Sequence, residues 1–274
     1  MKKNKETIKN FGDEWKKFSQ SNLTNDEIEQ LYQRYFSIFP IDKLSNKSIG
    51  FDLGCGSGRF SKYLAEKVKN LHCIEPSDAI NVAKINLSKH KNIIFHQISI
   101  EDMEFKENTM NFGICLGVLH HTHNIETGLK KCSSMLKKDS PFLIYLYYAF
   151  DNRPVWYFFL WKISNFLRKV ISVLPKKIKF LITDILAATL YFPLAKISLI
   201  CEKYLKLKVD NFPLNAYRNL SFYTMRTDSL DRFGTQIEYR YTKKQIIDLL
   251  TKYGFRDIEF SKKIPYWIAI SYKK

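Results

Sequence analysis

The sequence predicts an α/β fold: a doubly wound, mostly parallel sheet of seven strands with an antiparallel pair at its C-terminal edge. Three observations predict it. Short apolar runs alternate with helical patterns from Ile49 onward, glycines recur at every second position after the first run, and two strand-like runs close the chain. The regular alternation of strand and helix indicates βαβ units, because parallel strands need a crossover connection.

The first strand and its turn are the most informative stretch. The apolar run Ile49–Leu53 is followed by Gly54, Gly56 and Gly58, and a helical pattern comes next. Strand, glycine turn and helix open a nucleotide-binding unit, where glycine lets the backbone approach a ligand. Asp52 disfavours a phosphate here, since like charges repel. The absence of Gly-Lys-Ser/Thr and of Gly-x-Gly-x-x-Gly argues against a P-loop and a dinucleotide site.

The next two strands carry acidic groups at their ends. Residues 71–74 predict a second strand that ends at Glu75 and Pro76. An acid about 20 residues past a glycine turn is placed to accept the two hydroxyls of a ribose. Residues 93–97 predict a third strand, and a mixed polar and apolar segment follows it: Ser99, Ile100, Glu101 and Asp102.

A histidine-rich segment follows the fourth predicted strand, which ends at Leu116. Strand four lies beside strand one in such sheets, at the point where an open parallel sheet binds its ligand. Adjacent histidines on a helix do not share one ion, so we expect no metal site. Of His120 and His121, one is expected to hold the turn and the other to act as a general base or orienting group.

The order of these segments resembles the class I S-adenosylmethionine-dependent methyltransferases. Asp52 with Gly54-Cys55-Gly56-x-Gly58 resembles their first motif, and Gly-Val-Leu-His-His-Thr at 117–122 resembles their post-strand motif. The resemblance implies a Rossmann-like fold and S-adenosylmethionine as cofactor. It implies that Asp52 and the turn with Cys55 bind the methionine end of the cofactor. Glu75 and Pro76 would bind its ribose, and residues 99–102 would bind its adenine. Leu116 would be a further cofactor contact, and His121 or His120 would lie near the methyl group.

Composition limits the function classes. The 274 residues suffice for one α/β domain with an insertion, and the five scattered cysteines suit a reducing, cytoplasmic setting. The net charge of +17 invites a nucleic-acid partner. Lysine is spread along the whole chain, however, without a basic cluster interleaved with stacking aromatics. No Asn/Asp-Pro-Pro-Tyr/Phe tetrapeptide follows strand four either, so we expect no nucleic acid.

Four regions are predicted along the chain. Residues 1–45 form an N-terminal helical cap, with a helix start at Thr24 or Asn25 and with Trp15 expected to pack on the domain rather than over the cofactor. Residues 46–150 form the cofactor-binding core. Residues 151–240 form a helical insertion after strand five. Residues 241–274 supply a helix and two strands, predicted over residues 258–261 and 266–271, that complete the core.

The insertion is aromatic, apolar and basic. Residues 151–215 contain eleven Lys or Arg against four Asp or Glu. The charges and Pro193 in the apolar stretch 180–200 argue against a membrane span. Two interpretations stay open: a helical lid over the substrate, or an amphipathic surface that contacts the inner face of an anionic membrane.

The end of the insertion is rich in groups that bind polar substrates. Arginine grips carboxylate or phosphate with two parallel hydrogen bonds, and tyrosine or aspartate orients a hydroxyl. An Arg–Asp network that ties the insertion together is the equal alternative. Tyr223 and Asp228 are candidate catalytic residues, and the candidate substrate-binding residues are Arg153, Tyr217, Tyr223, Arg226 and Arg232.

These observations predict a methyltransferase that acts on a small-molecule, glycan or lipid-linked acceptor by direct displacement. The chain as a whole more loosely resembles methyltransferases of bacterial surface-polysaccharide pathways. Two alternatives remain: a quinone or lipid C- or O-methyltransferase at the membrane surface, and a catalytically silent cofactor-binding protein. The acceptor atom and the oligomeric state are left open by the sequence.

Overall fold

The computed structural model describes residues 2–274, with side chains from residue 5 onward. Its sheet has seven strands in the order β3-β2-β1-β4-β5-β7-β6. The strands are β1 (Ile49–Leu53), β2 (Asn70–Ile74), β3 (Ile93–His96), β4 (Phe112–Leu116), β5 (Pro141–Tyr145), β6 (Phe255–Phe260) and β7 (Ile268–Lys273). The first five strands are parallel, and β7 runs antiparallel to β5 and β6. The predicted fold class is confirmed.

The chain folds as two compact units. Among the described residues, the α/β unit comprises residues 2–21, 29–149 and 237–274, and the helical unit comprises residues 22–28 and 150–236. The division into four regions, with an insertion over residues 151–240, stays a prediction. Helix α2 belongs to both units, since it begins in one and ends in the other.

The helices before the insertion are α1 (Lys2–Lys17), α2 (Asn25–Phe36), α3 (Ser61–Ala65), α4 (Ala79–Asn86) and α5 (Ile125–Met135). Thr24 caps α2, since its Oγ1 accepts a hydrogen bond from the Glu27 backbone N–H. The helices after it are α6 (Val155–Ile171), α7 (Lys176–Leu186), α8 (Phe192–Lys203), α9 (Phe222–Gly234) and α10 (Lys243–Lys252). Helices α7 and α8 are joined through a π-helical turn, Ala187–Tyr191, into one rod from Lys176 to Lys203.

Complementary glycine and phenylalanine positions bring β1 and β4 together. Gly50 pairs with Phe112, and Phe51 pairs with Gly113. A Cβ atom on either glycine would lie 2.2 Å from the phenylalanine ring on the opposite strand. Each ring therefore fills the space left by a glycine, and this packing fixes the relative position of the two strands that flank the candidate site.

The C-terminal strands differ from the prediction in their bounds. The structure starts β6 at Phe255, directly after Gly254, whereas the sequence pattern predicts strand from residue 258. Phe255 is fully buried, and its ring stacks on Phe142 of β5 with centroids 5.0 Å apart. Burial of this ring extends the strand toward the helix, which a local pattern does not reveal.

Candidate functional site

The glycine turn lies at the carboxyl end of β1. Gly54, Gly56 and Gly58 all have positive φ, at 73°, 54° and 76°, a backbone conformation that L-residues rarely adopt. The Gly54 N–H donates to the Ile74 carbonyl at 2.7 Å, which ties the turn to the end of β2. Cys55 is buried within the turn. The backbone is thus shaped for close approach of a ligand.

Asp52 is a buried carboxyl group at the end of β1. Its side chain accepts a hydrogen bond from the Ser61 hydroxyl at 2.6 Å. Burial raises the pKa of Asp52 to about 7; the Ser61 hydrogen bond opposes this shift and the nearby Glu75 adds to it. A positive charge at this position would reverse the effect of burial and ionise the group.

Glu75 is the second buried carboxyl group of the site. One oxygen accepts from the Ser77 N–H at 3.0 Å and the Ser77 hydroxyl at 2.5 Å, and the other accepts from the Gly56 N–H at 3.3 Å. Burial raises its pKa, and the hydrogen bonds from Ser77 and Gly56 partly offset the shift. Glu75 therefore connects the glycine turn to the start of α4.

The two carboxyl groups have no Lys or Arg partner among the ion pairs of the described residues. Buried acids without a cation are costly, and a ligand that supplies positive charge and hydroxyl donors would relieve that cost. S-adenosylmethionine carries an ammonium, a sulfonium and two ribose hydroxyls. The residues present therefore fit this cofactor. The Asp52 carboxylate would bind its positive charge, and Glu75 would accept hydrogen bonds from its ribose hydroxyls.

The segment predicted to contact adenine follows β3. Ile100 belongs to the apolar core, whereas Glu101 and Asp102 are exposed. The Ser99 hydroxyl donates to an Asp102 oxygen at 2.8 Å. Pro76, also predicted to contact the cofactor, lies between Glu75 and Ser77 at the start of α4. The adenine role of residues 99–102 stays a prediction.

His121 lies in a short 3₁₀ segment, Leu119–His121, just after β4. It is 4 % exposed, and its Nδ1 donates to the Ile237 carbonyl at 2.6 Å. That bond assigns the proton to Nδ1 and leaves the lone pair on Nε2. Phe11 of α1 contacts the imidazole ring, with centroids 5.0 Å apart. The tautomer suits a general base.

His120 differs from its neighbour. It is fully buried, and neither ring nitrogen has a hydrogen-bond partner among the described residues. Its ring stacks on Tyr147 with centroids 3.8 Å apart. Burial holds its pKa well below the usual range, and the charges of His121 and Arg240 act in the same direction. His120 is therefore neutral, and its contacts are those of a packing residue.

The segment 237–241 was not predicted to belong to the site. Its Tyr239 N–H donates to the His120 carbonyl at 2.9 Å, and its Tyr241 N–H donates to the Tyr147 carbonyl at 2.8 Å. Within it, Arg240 pairs with the buried side chain of Glu238 at 2.9 Å and lies over the Tyr147 ring. In the sequence, the only indication of a contact at this place is the tyrosine-rich end of the fifth predicted strand. The partners lie more than a hundred residues away from the histidines, so no local pattern reveals them.

Helix α1 covers the glycine turn. A Cβ atom on Gly56 would lie 3.0 Å from the Trp15 indole, and Lys16 pairs with Asp78 at 2.6 Å. Gly12 lies close to the start of α4, where an added Cβ atom would meet the Asp78 backbone N at 3.2 Å. Trp15 does pack on the domain as expected. The surface on which it packs is the turn itself, so packing and covering of the site are one arrangement.

The candidate substrate residues lie in the helical unit, and several have structural partners there. Arg226 binds Asp184 through two hydrogen bonds of 3.0 Å. Arg232 donates to the Ser164 hydroxyl at 2.9 Å. The other partners are the Asp210 carbonyl and Asn211 for Arg153, and the Tyr191 ring for Tyr217. The roles of these residues, and of Tyr223 and Asp228 on α9, stay predictions.

Within the described chain, no group of three or more His, Cys, Asp or Glu residues is placed to hold a metal ion. The five cysteines are free, and four of them are buried.

Residues 51–144 match a family model described as a methyltransferase domain. A tRNA U34 carboxymethyltransferase from Sulfurovum sp. (strain NBC37-1) is 28% identical over 136 residues, which are 47% of this chain and 44% of that protein. The chain thus spans less than half the length of this curated relative.

Solved structures share the fold. A proposed S-adenosylmethionine-dependent methyltransferase from Listeria monocytogenes superposes with a TM-score of 0.52 over 92% of this chain and 100% of that chain, at 16% identity. A proposed methyltransferase from Bacillus halodurans gives a TM-score of 0.51 over 86% of this chain and 71% of that chain, at 14% identity. At these identities the likeness concerns architecture.

Proposed function

We propose that the chain is a class I S-adenosylmethionine-dependent methyltransferase, which transfers the methyl group of that cofactor to a small-molecule, glycan or lipid-linked acceptor; the match of residues 51–144 to a methyltransferase domain supports this. One observation carries the proposal. The glycine turn, two buried acids without a cation and a histidine with a lone pair on Nε2 all belong to the same edge of the sheet, at the ends of β1, β2 and β4.

Each group has a proposed role in holding the cofactor. Asp52 and the Gly54–Gly58 turn take the methionine end, since an ionised carboxylate balances an ammonium. Glu75 accepts the ribose hydroxyls, and residues 99–102 with Leu116 surround the base and the reacting centre. When bound, the cofactor supplies an electrophilic methyl group on a positively charged sulfur. Helix α1, through Phe11 and Trp15, limits the access of water to this edge.

His121 is the proposed general base. A hydroxyl acceptor must lose its proton as it attacks, and a base aligned with that proton assists the step. The Ile237 carbonyl holds the proton on Nδ1, so Nε2 receives the acceptor's proton. Phe11 and Tyr147 fix the ring plane from two sides. His120, which is neutral and stacked, supports this arrangement rather than taking a proton itself.

The class of acceptor is the open part of the proposal. The quinone or lipid alternative is supported by the apolar helical unit, and the cofactor-binding alternative requires only the glycine turn and the acids. A tRNA acceptor is favoured by the name of the curated relative and by the net charge of +17. We propose the cytoplasm as the compartment, where the five free thiols stay reduced.

Transfer of label from methyl-labelled S-adenosylmethionine tests the proposal. Purified protein is incubated with extract from its source, which is then separated into lipid, polysaccharide, nucleic-acid, protein and small-solute fractions. We expect label in the lipid, polysaccharide or small-solute fraction, and at least about tenfold less label with Asp52→Asn at a cofactor concentration below the Kd of the parent. Label in the tRNA fraction would replace the proposed acceptor class with nucleic acid. Cofactor binding by calorimetry without label in any fraction would overturn the proposed transfer and favour the silent binding protein.

A further inference from the structure

Exposed apolar side chains are concentrated in one part of the chain. Of the 25 large hydrophobic residues that are exposed in the described structure, 21 lie between Val155 and Phe222 and only four lie elsewhere. Contiguous exposed apolar surface on a protein marks an interaction site. The helical unit, by itself, presents such a surface.

Helix α6 has two faces of different character. One face is directed into the helical unit, where Arg168 donates to the Thr235 and Gln236 carbonyls at 2.8 and 2.9 Å. The opposite face is apolar at every position of a helical stripe spaced three and four residues apart, and it is exposed to solvent. Its members are Trp156, Phe159, Ile163, Phe166 and Val170, with exposed fractions of 46–67%.

The rod formed by α7 and α8 repeats this arrangement. Its inner side makes polar contacts with α9: the Ser229 hydroxyl donates to the Thr183 carbonyl at 2.8 Å, and Lys179 donates to the Gly234 carbonyl at 3.3 Å. Its outer side exposes aliphatic residues along the whole length. These are Ile178, Leu181, Ile185, Ile197 and Ile200.

The exposed charges between residues 155 and 208 are all positive. Between residues 155 and 208 every charged residue in the exposed class is a lysine: Lys162, Lys169, Lys176, Lys177, Lys203, Lys206 and Lys208. The two acids in the stretch are less exposed, and each binds an arginine of the same unit: Asp184 binds Arg226, and Glu202 binds Arg218. The outward surface therefore combines apolar side chains with positive charge.

We propose that this surface, formed by the outer faces of α6 and of the α7–α8 rod, lies on an anionic lipid bilayer. Apolar side chains with flanking lysines match the acyl and headgroup layers of such a membrane, and aromatic residues favour the interface between them. The occupant follows from charge complementarity, since the anionic headgroups of a bilayer offer negative charge to the seven exposed lysines while its acyl layer accepts the apolar side chains.

The polar contacts between the α7–α8 rod and α9 favour a helical unit that lies on the membrane over one that crosses it. The rod Lys176–Lys203 is 28 residues long, and by length and composition it is the one helix in the described part of the chain able to span a bilayer. A span would expose Asp184, Thr183 and Lys179 to lipid and remove their partners on α9, which is costly for polar groups. The proposal does not depend on methyl transfer, because membrane binding requires neither cofactor nor acceptor.

Sedimentation with vesicles tests the proposal. We expect the protein to bind vesicles of phosphatidylcholine mixed with phosphatidylglycerol, to bind phosphatidylcholine alone more weakly, and to lose binding as salt increases. Phe159→Glu and Phe166→Glu should each weaken binding about tenfold, since each removes one aromatic side chain that the membrane would bury. Lys176→Gln with Lys177→Gln should weaken binding to the anionic vesicles by about 30-fold, at roughly 1 kcal/mol for each lysine.

Matched controls lie in the α/β unit, where Ile85 is 74% exposed and Lys89 is exposed. Ile85→Glu and Lys89→Gln should leave vesicle binding unchanged, and all variants should keep the thermal stability of the parent. Binding that the helical-unit variants leave unchanged would overturn the proposal. So would retention of the protein in cell membranes after alkaline carbonate extraction, which would show a span, or a stable dimer in solution that Phe159→Glu dissociates without any vesicle binding, which would assign the surface to a second copy.

Discussion

Carboxyl groups have opposite environments in the two units. In the α/β unit, Asp52 and Glu75 are buried without a basic partner among the described residues, and burial raises both pKa values. In the helical unit, Asp184 and Glu202 each receive two hydrogen bonds from one arginine, and Arg218 holds the pKa of Glu202 below its usual range. The second pair of acids is satisfied by the fold. The first pair lacks a cation, which a ligand can supply.

This contrast separates residues that maintain structure from residues that bind. A polar group with a matched partner stabilises its own unit, whereas a buried group without one lowers stability and is retained for another reason. The adjacent histidines are not separated by this rule. His120 is buried without a hydrogen-bond partner among the described residues, but its ring stacks on Tyr147, whereas the hydrogen bond from Nδ1 of His121 to the Ile237 carbonyl leaves a lone pair on Nε2.

The largest expected effect concerns the histidines. In His121→Asn, the amide can still donate to the Ile237 carbonyl, but no nitrogen remains at the position of Nε2. We expect kcat to fall about 100-fold or more, the usual contribution of a general base, with little change in cofactor affinity. His120→Phe keeps the stacking on Tyr147 and should change kcat less than threefold. Equal losses in the two variants would contradict the division of roles between them.

Replacing Asp52 is expected to affect cofactor affinity rather than turnover alone. Asp52→Asn keeps the shape of the side chain and removes the charge that balances the ammonium. We expect affinity for S-adenosylmethionine to fall roughly 10- to 150-fold, the value of one charge-assisted hydrogen bond of about 1.5–3 kcal/mol. Isothermal titration calorimetry measures the change. The cofactor-free variant should be more stable than the parent at pH 8, since a buried carboxylate has been removed; lower stability together with unchanged affinity would refute the assignment.

The pH dependence of cofactor binding tests the same role of Asp52. The folded pKa of Asp52 is raised to about 7, so below that pH the buried group is protonated, and a cationic ligand must displace the proton. We expect affinity to rise about tenfold from pH 6 to pH 8 and then to level off. The stability of the cofactor-free protein should run the other way and fall as the pH rises from about 4 to 7, because the unfolded chain releases this proton first. A flat affinity profile would show that Asp52 is ionised before the ligand binds.

Local patterns account for the parts that the sequence predicts well. The apolar runs of β1 and β4 and the spacing of Gly54, Gly56 and Gly58 are short-range features, and the structure places them as expected. The contact between His121 and Ile237 joins residues 116 positions apart, so spacing alone does not reveal it. Helix α6 presents a further difficulty, because its continuous apolar stripe lies on the exposed face, so the pattern alone would assign the wrong face to the core.

The smallest expected effect tests whether the Arg226–Asp184 pair belongs to structure alone. Both side chains are about one-third exposed, so we expect Asp184→Asn to lower the free energy of unfolding by about 1 kcal/mol and to leave cofactor affinity within twofold of the parent. Arg226→Gln should cost a similar amount, and the double variant should cost less than the sum, since the two residues form one interaction. Chemical denaturation of the four proteins measures this coupling. If Arg226→Gln instead raises the KM for the acceptor while Asp184→Asn does not, Arg226 binds substrate as the sequence suggested, and the helical unit takes part in recognition of the acceptor.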